Sequence, residues 1–186
     1  MESVKPPIYS IRGARKSDNY TIQKISDAAF GKGYYSPDRK KCWEEWYVCE
    51  DSGGYVVGYC CIGVPDEDEK AALFQPYKIR EIRQSMPIGV IKTLAVDEKN
   101  QGAGVGKKLF QFAAEKLSSE NIAAIVAPIW DNPGDVGIKK IVKKSGFKFQ
   151  ASLKQYWYEE SKVEGFRCRI CGKPCYCSCS IYHKNL

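Results

Sequence analysis

The sequence predicts a mixed α/β (α+β) domain, a mostly antiparallel sheet flanked by helices, with a small cysteine-rich zinc knuckle near the C-terminal end. Three observations predict it. Segments rich in β-branched and aromatic residues alternate with stretches of helical spacing along the chain. A strand, a glycine-rich loop and a helix follow one another in VDEKNQGAGVGKKLF, residues 96–110. Five of the nine cysteines crowd between Cys168 and Cys179. At 186 residues there is room for one domain with a real core and a small appendage, and the composition places the division at 1–160 and 161–186.

In chain order, Ile8 to Arg12 reads as a first strand. Asp18 then caps a helix whose apolar residues Ile22, Ile25, Ala28 and Ala29 share one face. Asp38 to Glu45 reads as a second short helix. Trp46 to Cys49 and Tyr55 to Ile62 form a hairpin around the turn EDSGG. Val64 to Pro87 is a long connection with an acidic run, the length at which loops act as lids, and with Tyr34 and Tyr35 it is expected to line a site. Val90 to Val96 is a strand, and Val105, Leu109, Phe112, Ala113 and Leu117 make a helical stripe after it. Ile122 to Trp130 is continuously apolar, as in a strand buried on both faces. DNPGD is a loop, Val136 to Lys144 a basic helix closed by Gly146, and Lys148 to Tyr158 one or two closing strands.

Hydrophobic residues at 44% and charged residues at 27% describe a globular protein, and no apolar run is long enough to span a membrane. The start MESVKPPIYS lacks the basic and then apolar pattern of a secretory signal, so a cytoplasmic location and no membrane partner are expected. An odd number of cysteines in such a chain argues against a disulfide scaffold. Cys42, Cys49, Cys60 and Cys61 lie among apolar neighbours and read as small core residues. The formal charge of +7 suits polyanions, whether nucleic acid or a phosphorylated cofactor, without choosing between them.

Gly102, Gly104 and Gly106 lie between a strand and a helix start, where unpaired backbone N–H groups and the helix dipole attract anions. The spacing is neither the dinucleotide fingerprint nor the P-loop. The run Gln101, Gly102, Ala103, Gly104, Val105, Gly106 does match the Q/R-x-x-G-x-G/A signature, and the chain over residues 8–158 thereby resembles the GNAT superfamily of N-acetyltransferases. That resemblance implies acetyl-CoA as cosubstrate, with backbone groups of Leu94 and Val96 for the pantetheine amides and residues Gln101 to Lys107 for the pyrophosphate. It also implies a signature strand splayed from the next one, and Asn132 as a cofactor contact. The reaction implied is direct attack of a neutral amine on the thioester, with strand N–H groups polarising its carbonyl.

The chain departs from the family at two places, one being a stretch from Asn132 to Gly146 that is longer than the common family spacing. Val142 stands four residues before Gly146, where many members carry the tyrosine that protonates the departing thiolate. Tyr156 and Tyr158 are substitutes, and Glu44, Glu81 and Asp131 are formal candidates for a base with nothing to rank them.

In the tail, C-x-x-C-G and the alternation of Cys175, Cys177 and Cys179 give thiolates at metal-ligand spacing. Cys168, Cys171, Cys175 and Cys177 are the expected zinc ligands, with Cys179 and His183 as substitutes. The acceptor is expected to be a small-molecule amine rather than a protein, nucleic acid is not expected as a partner, and a homodimer stays open. Two other readings remain. One is a non-catalytic acyl-CoA-binding regulator that uses the zinc tail to contact protein or nucleic acid. The other is a nucleic-acid-binding protein in which the glycine loop is incidental.

Overall fold

The computed structural model describes residues 8–69, 87–132 and 136–186. Most of the connection from Val64 to Pro87, with Glu81, lies outside them.

Seven strands form one sheet in the order β1-β2-β3-β4-β5-β7-β6. The first half is a meander: β1 (Ser10–Gly13), β2 (Glu44–Glu50), β3 (Val56–Gly63) and β4 (Ile88–Val96), each antiparallel to its neighbour. Among the described residues, only the contact of β4 with β5 (Ala124–Trp130) is parallel. As a parallel pair requires, the two are joined by a crossover helix, α2 (Val105–Ser118), while α1 (Asn19–Ala29) follows β1.

The helical stripe of α2 buries Val105, Leu109, Phe110, Ala113, Ala114 and Leu117 against the sheet. The predicted stripe is rotated slightly. Phe110 takes the core position, edge-on to Phe147 at 5.2 Å, and Phe112 lies half-buried against Tyr47 at 4.8 Å. Ile22 and Ile25 of α1 pack on the other face with Tyr35, Val48 and Tyr59.

Asp18 occupies the N-cap position of α1, but its side chain makes no cap bond there. Its carboxylate accepts from the Arg15 amide at 2.6 Å and from Arg12 at 2.7 Å, which closes the preceding 3-10 turn, and Arg12 also reaches Glu50 at 2.5 Å. The Arg12 hydrogen bond, opposed by burial, holds the Asp18 carboxyl below its usual value. The expected helix over Asp38 to Glu45 is only a 3-10 turn at Pro37–Arg39, because β2 already begins at Glu44. Cys49, Cys60 and Cys61 are core residues as expected, whereas Cys42 is exposed ahead of that strand.

After β5 come α3 (Val136–Lys144), closed by Gly146 at φ +84°, and β6 (Lys148–Leu153). One short helix, α4 (Tyr158–Glu164), replaces the second closing strand. Residues 161–186, set apart as a tail by composition, do not stay outside the sheet. Cys179–Asn185 is β7, paired with β5 from Trp130↔Cys179 to Ala124↔Asn185 and with β6 on its other side. The physical reason is that without β7 the edge of β5 away from β4, an apolar strand, would be bare. Among the described residues, no helix is long and apolar enough to cross a membrane.

Candidate active site

Parallel pairing of β4 and β5 ends at Val90↔Val126, yet β4 runs on to Val96 and β5 to Trp130. The two strands therefore part, and a cavity of about 540 Å³ opens between them. A bulge marks β4 at this point: Cys61 pairs with Thr93 while Ile62 pairs with Ile91, so Lys92 is the extra residue.

One end of the cavity is the glycine loop. Gly102 and Gly104 have φ of +79° and +87°, a left-handed conformation that other residues adopt only with strain. Gly104 is the N-cap of α2, and its carbonyl accepts the first helical bond from Lys108 at 3.0 Å. The N–H groups of Val105, Gly106 and Lys107 thus precede the helical ladder and carry the positive end of the helix dipole. Gln101, Lys107 and Asn132 line the same region, as do Leu94 and Val96 of the splayed strand. The Val96 carbonyl is held by Gln101 Nε2 at 3.3 Å. Ala103 is exposed and Val105 turns its side chain into the core, so neither side chain faces the cavity.

The other end is aromatic. Phe30 and Tyr34, after α1, stand 4.8 Å apart by ring centroid, and Phe30 lies 6.1 Å from Trp130. Tyr34 also meets Phe166 edge-on at 5.3 Å, and Trp157 completes the lining. The Tyr34 hydroxyl sits 3.3 Å from Thr93 Oγ1, beside the bulge. Burial, with the charge of Glu160 second, pushes its phenol well above its usual value. Tyr35, paired with it in the sequence reading, points into the core and donates to Asn19 Oδ1 at 2.8 Å.

Neither substitute tyrosine lines this space. Tyr156 packs on Trp157, and Tyr158 on Tyr176. Val142 is fully buried. Of the formal bases, Glu44 is held by Lys92 Nζ at 2.5 Å, and Asp131 by Lys139 at 2.5 Å and Ser180 Oγ at 2.6 Å. Burial lowers Lys92, but the charge and hydrogen bond of Glu44 outweigh it and keep the ammonium above its usual value.

The Sγ atoms of Cys168, Cys171, Cys175 and Cys177 all lie within 4.8 Å of one another. Three of the contacts measure 3.5 to 3.7 Å. A tetrahedral ion with bonds of about 2.3 Å would set sulfurs ~3.8 Å apart, so the cluster fits zinc with little movement. Backbone N–H groups of Ile170 and Tyr176 point at Cys168 and Cys171 at 3.5 and 3.2 Å, as they would toward thiolates. Left as thiols, burial pushes Cys177 up to about 11 and Cys175 further, a tendency a dication reverses. Cys179 is buried in β7 opposite Trp130 and Leu153, and His183 lies in the same strand opposite Val126 and Lys148. Neither belongs to the cluster.

The acetyltransferase (GNAT) domain family matches residues 42–148, more than half of the chain. The chain is a GNAT acetyltransferase. The fold agrees across solved structures of low sequence identity. Arabidopsis thaliana NAA60, in complex with a bisubstrate analogue, aligns with a TM-score of 0.70 at 13% identity over 96% of this chain and 99% of that one. Ribosomal-protein-alanine N-acetyltransferase from Brucella melitensis gives 0.63 at 17% over 95% and 99%. A third, from Arabidopsis thaliana in complex with the analogue CoA-Ac-MVNAL, gives 0.63 at 16% over 96% and 99%. Among curated proteins none matches the chain in sequence. As a GNAT enzyme the chain moves an acetyl group from acetyl-CoA to an amine, and the expectation from Gln101 to Gly106 holds at the level of the family.

The sequence pointed to Tyr34 but missed the rest of the aromatic end. Phe30, Trp130, Trp157 and Phe166 come from four separated segments, and no local spacing announces their meeting.

Proposed function

We propose that the chain acetylates a small-molecule amine, with coenzyme A on the glycine-loop side of the splay and the acceptor on the aromatic side. The observation that carries this is the single cavity that runs from Gly102, Gly104 and Gly106 along β4 to Tyr34 and Trp130. The pyrophosphate rests on the amides of Val105, Gly106 and Lys107, near Gln101, Gly102 and Ala103, with the Lys107 ammonium opposite its charge. The pantetheine arm lies along Leu94 and Val96, exchanging with the Gln101 contact to the Val96 carbonyl, and Asn132 stands across from it. The bulge at Lys92 leaves a strand amide free to polarise the thioester carbonyl.

The amine nitrogen attacks the carbonyl carbon, the C–N bond forms, and collapse breaks the C–S bond. The departing thiolate takes a proton from the Tyr34 hydroxyl, which stands in the cavity where Val142 cannot, and the proton shed by the acylated nitrogen returns to the phenolate through water. In this reading Tyr34→Phe lowers kcat about 10²-fold while leaving acetyl-CoA affinity within two-fold, read as N-acetyl product by mass spectrometry. A folded protein that binds no acyl-CoA would overturn the function, and an unchanged kcat would remove Tyr34 from its role.

Cys168, Cys171, Cys175 and Cys177 hold one zinc ion, which stabilises a segment too short to form its own core. Elemental analysis of the purified protein is expected to give one zinc per chain, falling in Cys171→Ser; a metal-free protein of equal stability would contradict this. Reduced thiolate ligands accord with a cytoplasmic location. The non-catalytic regulator is the weaker reading, because an open cavity continues past the coenzyme side to the aromatic end.

A further inference from the structure

We infer that the metal knuckle is one wall of the acceptor site, and that the acceptor is a monoamine with an aromatic or apolar body. The inference rests on the acetyl-transfer reading and deepens it. Cys168 and Cys175, two of the four clustered thiols, themselves line the cavity, beside Phe166 and Trp157. Phe166, Cys168 and Cys175 form one buried cluster with Tyr34 and Trp130, which come from the body of the domain. The knuckle is also tied to the loop after α1. Arg167 donates its amide to the Lys32 carbonyl at 2.9 Å, and Arg169 to that of Phe30 at 3.0 Å. Contact there is close enough that a Cβ on Gly31 would lie 2.0 Å from the Arg167 carbonyl oxygen. Behind the wall, Cys175 donates its amide to the fully buried Ser161 hydroxyl at 2.8 Å. Metal occupancy therefore fixes where Phe166 stands relative to Tyr34, and does so without touching the glycine loop.

The lining sets the chemical class. Four aromatic rings, Phe30, Tyr34, Trp130 and Phe166, offer apolar contact to a hydrocarbon body and their faces to its ammonium before deprotonation. Of the ionic side chains that share the lining, Lys92 is paired with Glu44 and Lys107 faces the coenzyme A phosphates, which leaves Arg169, whose guanidinium donates to the Ala28 carbonyl, as the cation of the aromatic end. A second positive charge on the acceptor, as in a polyamine or a basic peptide, would be repelled.

The test uses the full chain, zinc-loaded and after chelation under reducing conditions, with 2-phenylethylamine and spermidine as acceptors. Chelation is expected to raise KM for 2-phenylethylamine at least 10-fold while the Kd of acetyl-CoA by calorimetry stays within two-fold. Should chelation unfold the domain and abolish acetyl-CoA binding, Phe166→Ala decides: with zinc content and acetyl-CoA affinity unchanged, the same rise in KM is expected. Unchanged KM in that variant overturns the wall. Preference for spermidine, or for a peptide amine, over 2-phenylethylamine overturns the acceptor class. If the zinc-loaded wild type binds no acetyl-CoA, the acetyl-transfer reading itself fails; if it binds and transfers indifferently to the knuckle, only this inference does.

Discussion

Gly106→Val leaves the protein folded and weakens acetyl-CoA binding at least about 100-fold, the equivalent of losing two charge-assisted hydrogen bonds. Position 106 needs glycine neither for its backbone nor for protein packing. A Cβ there would meet Val96 at 3.6 Å and Leu94 and Ile141 at 4.0 Å, ordinary contacts, and its backbone angle is not in the left-handed region. Valine is moreover a better helix former than glycine by several tenths of a kcal/mol, so stability should not fall. The added methyls would occupy the cavity between the splayed strand and α2. Gly104→Val makes the contrast: its φ of +87° adds strain of about 1–3 kcal/mol, so any lost affinity comes mixed with lost stability. Titration calorimetry with a thermal melt checks both. A Gly106→Val protein that binds acetyl-CoA normally would mean that nothing approaches the bare backbone there.

Shortening the chain to residues 1–160 abolishes cooperative unfolding. The removed segment includes β7, whose Cys179 and Ile181 are fully buried and whose Tyr182 is 3% exposed. Its loss uncovers Ile125, Val126 and Ala127 of β5 and separates β6 from the sheet. Each large apolar side chain so exposed costs about 2 kcal/mol, and with the lost ladder the sum approaches the 5–15 kcal/mol that holds an ordinary domain together. Exposed Ile170 on the knuckle is the control, since Ile170→Ser should change stability by less than about 0.5 kcal/mol. A sharp thermal transition in the 1–160 protein would mean that the sheet closes without its seventh strand.

The parts legible in the sequence are those with local periodicity. Leu109, Ala113 and Leu117 announce α2 by helical spacing, the glycines of EDSGG announce the turn between β2 and β3, and the glycine loop is announced by a motif whose glycines have a local conformational cause. The cysteine cluster was legible for the same reason, because two sulfurs on one knuckle need only short spacing. Three things were not. The strand Cys179–Asn185 was hidden by Cys179 and His183, which suggest ligands before they suggest a ladder. Asp18 resembles a cap until Arg12, brought near by the turn, claims its carboxylate. The ring partners of Tyr34, a residue the sequence did point to, gather only when Trp130 and Phe166 arrive from far along the chain.

The insertion of β7 between β5 and β6 also orders events during synthesis. While the ribosome is still making the knuckle, β5 and β6 exist without the strand that separates them, and each has an unsatisfied edge. They can pair wrongly with each other or with another nascent chain until residue 185 has been added and released. The contacts that finish the sheet are those of long sequence separation, which form slowly. Four thiols holding a metal just ahead of β7 would anchor the segment beside its slot, and metal supply during translation would then raise the yield of folded enzyme.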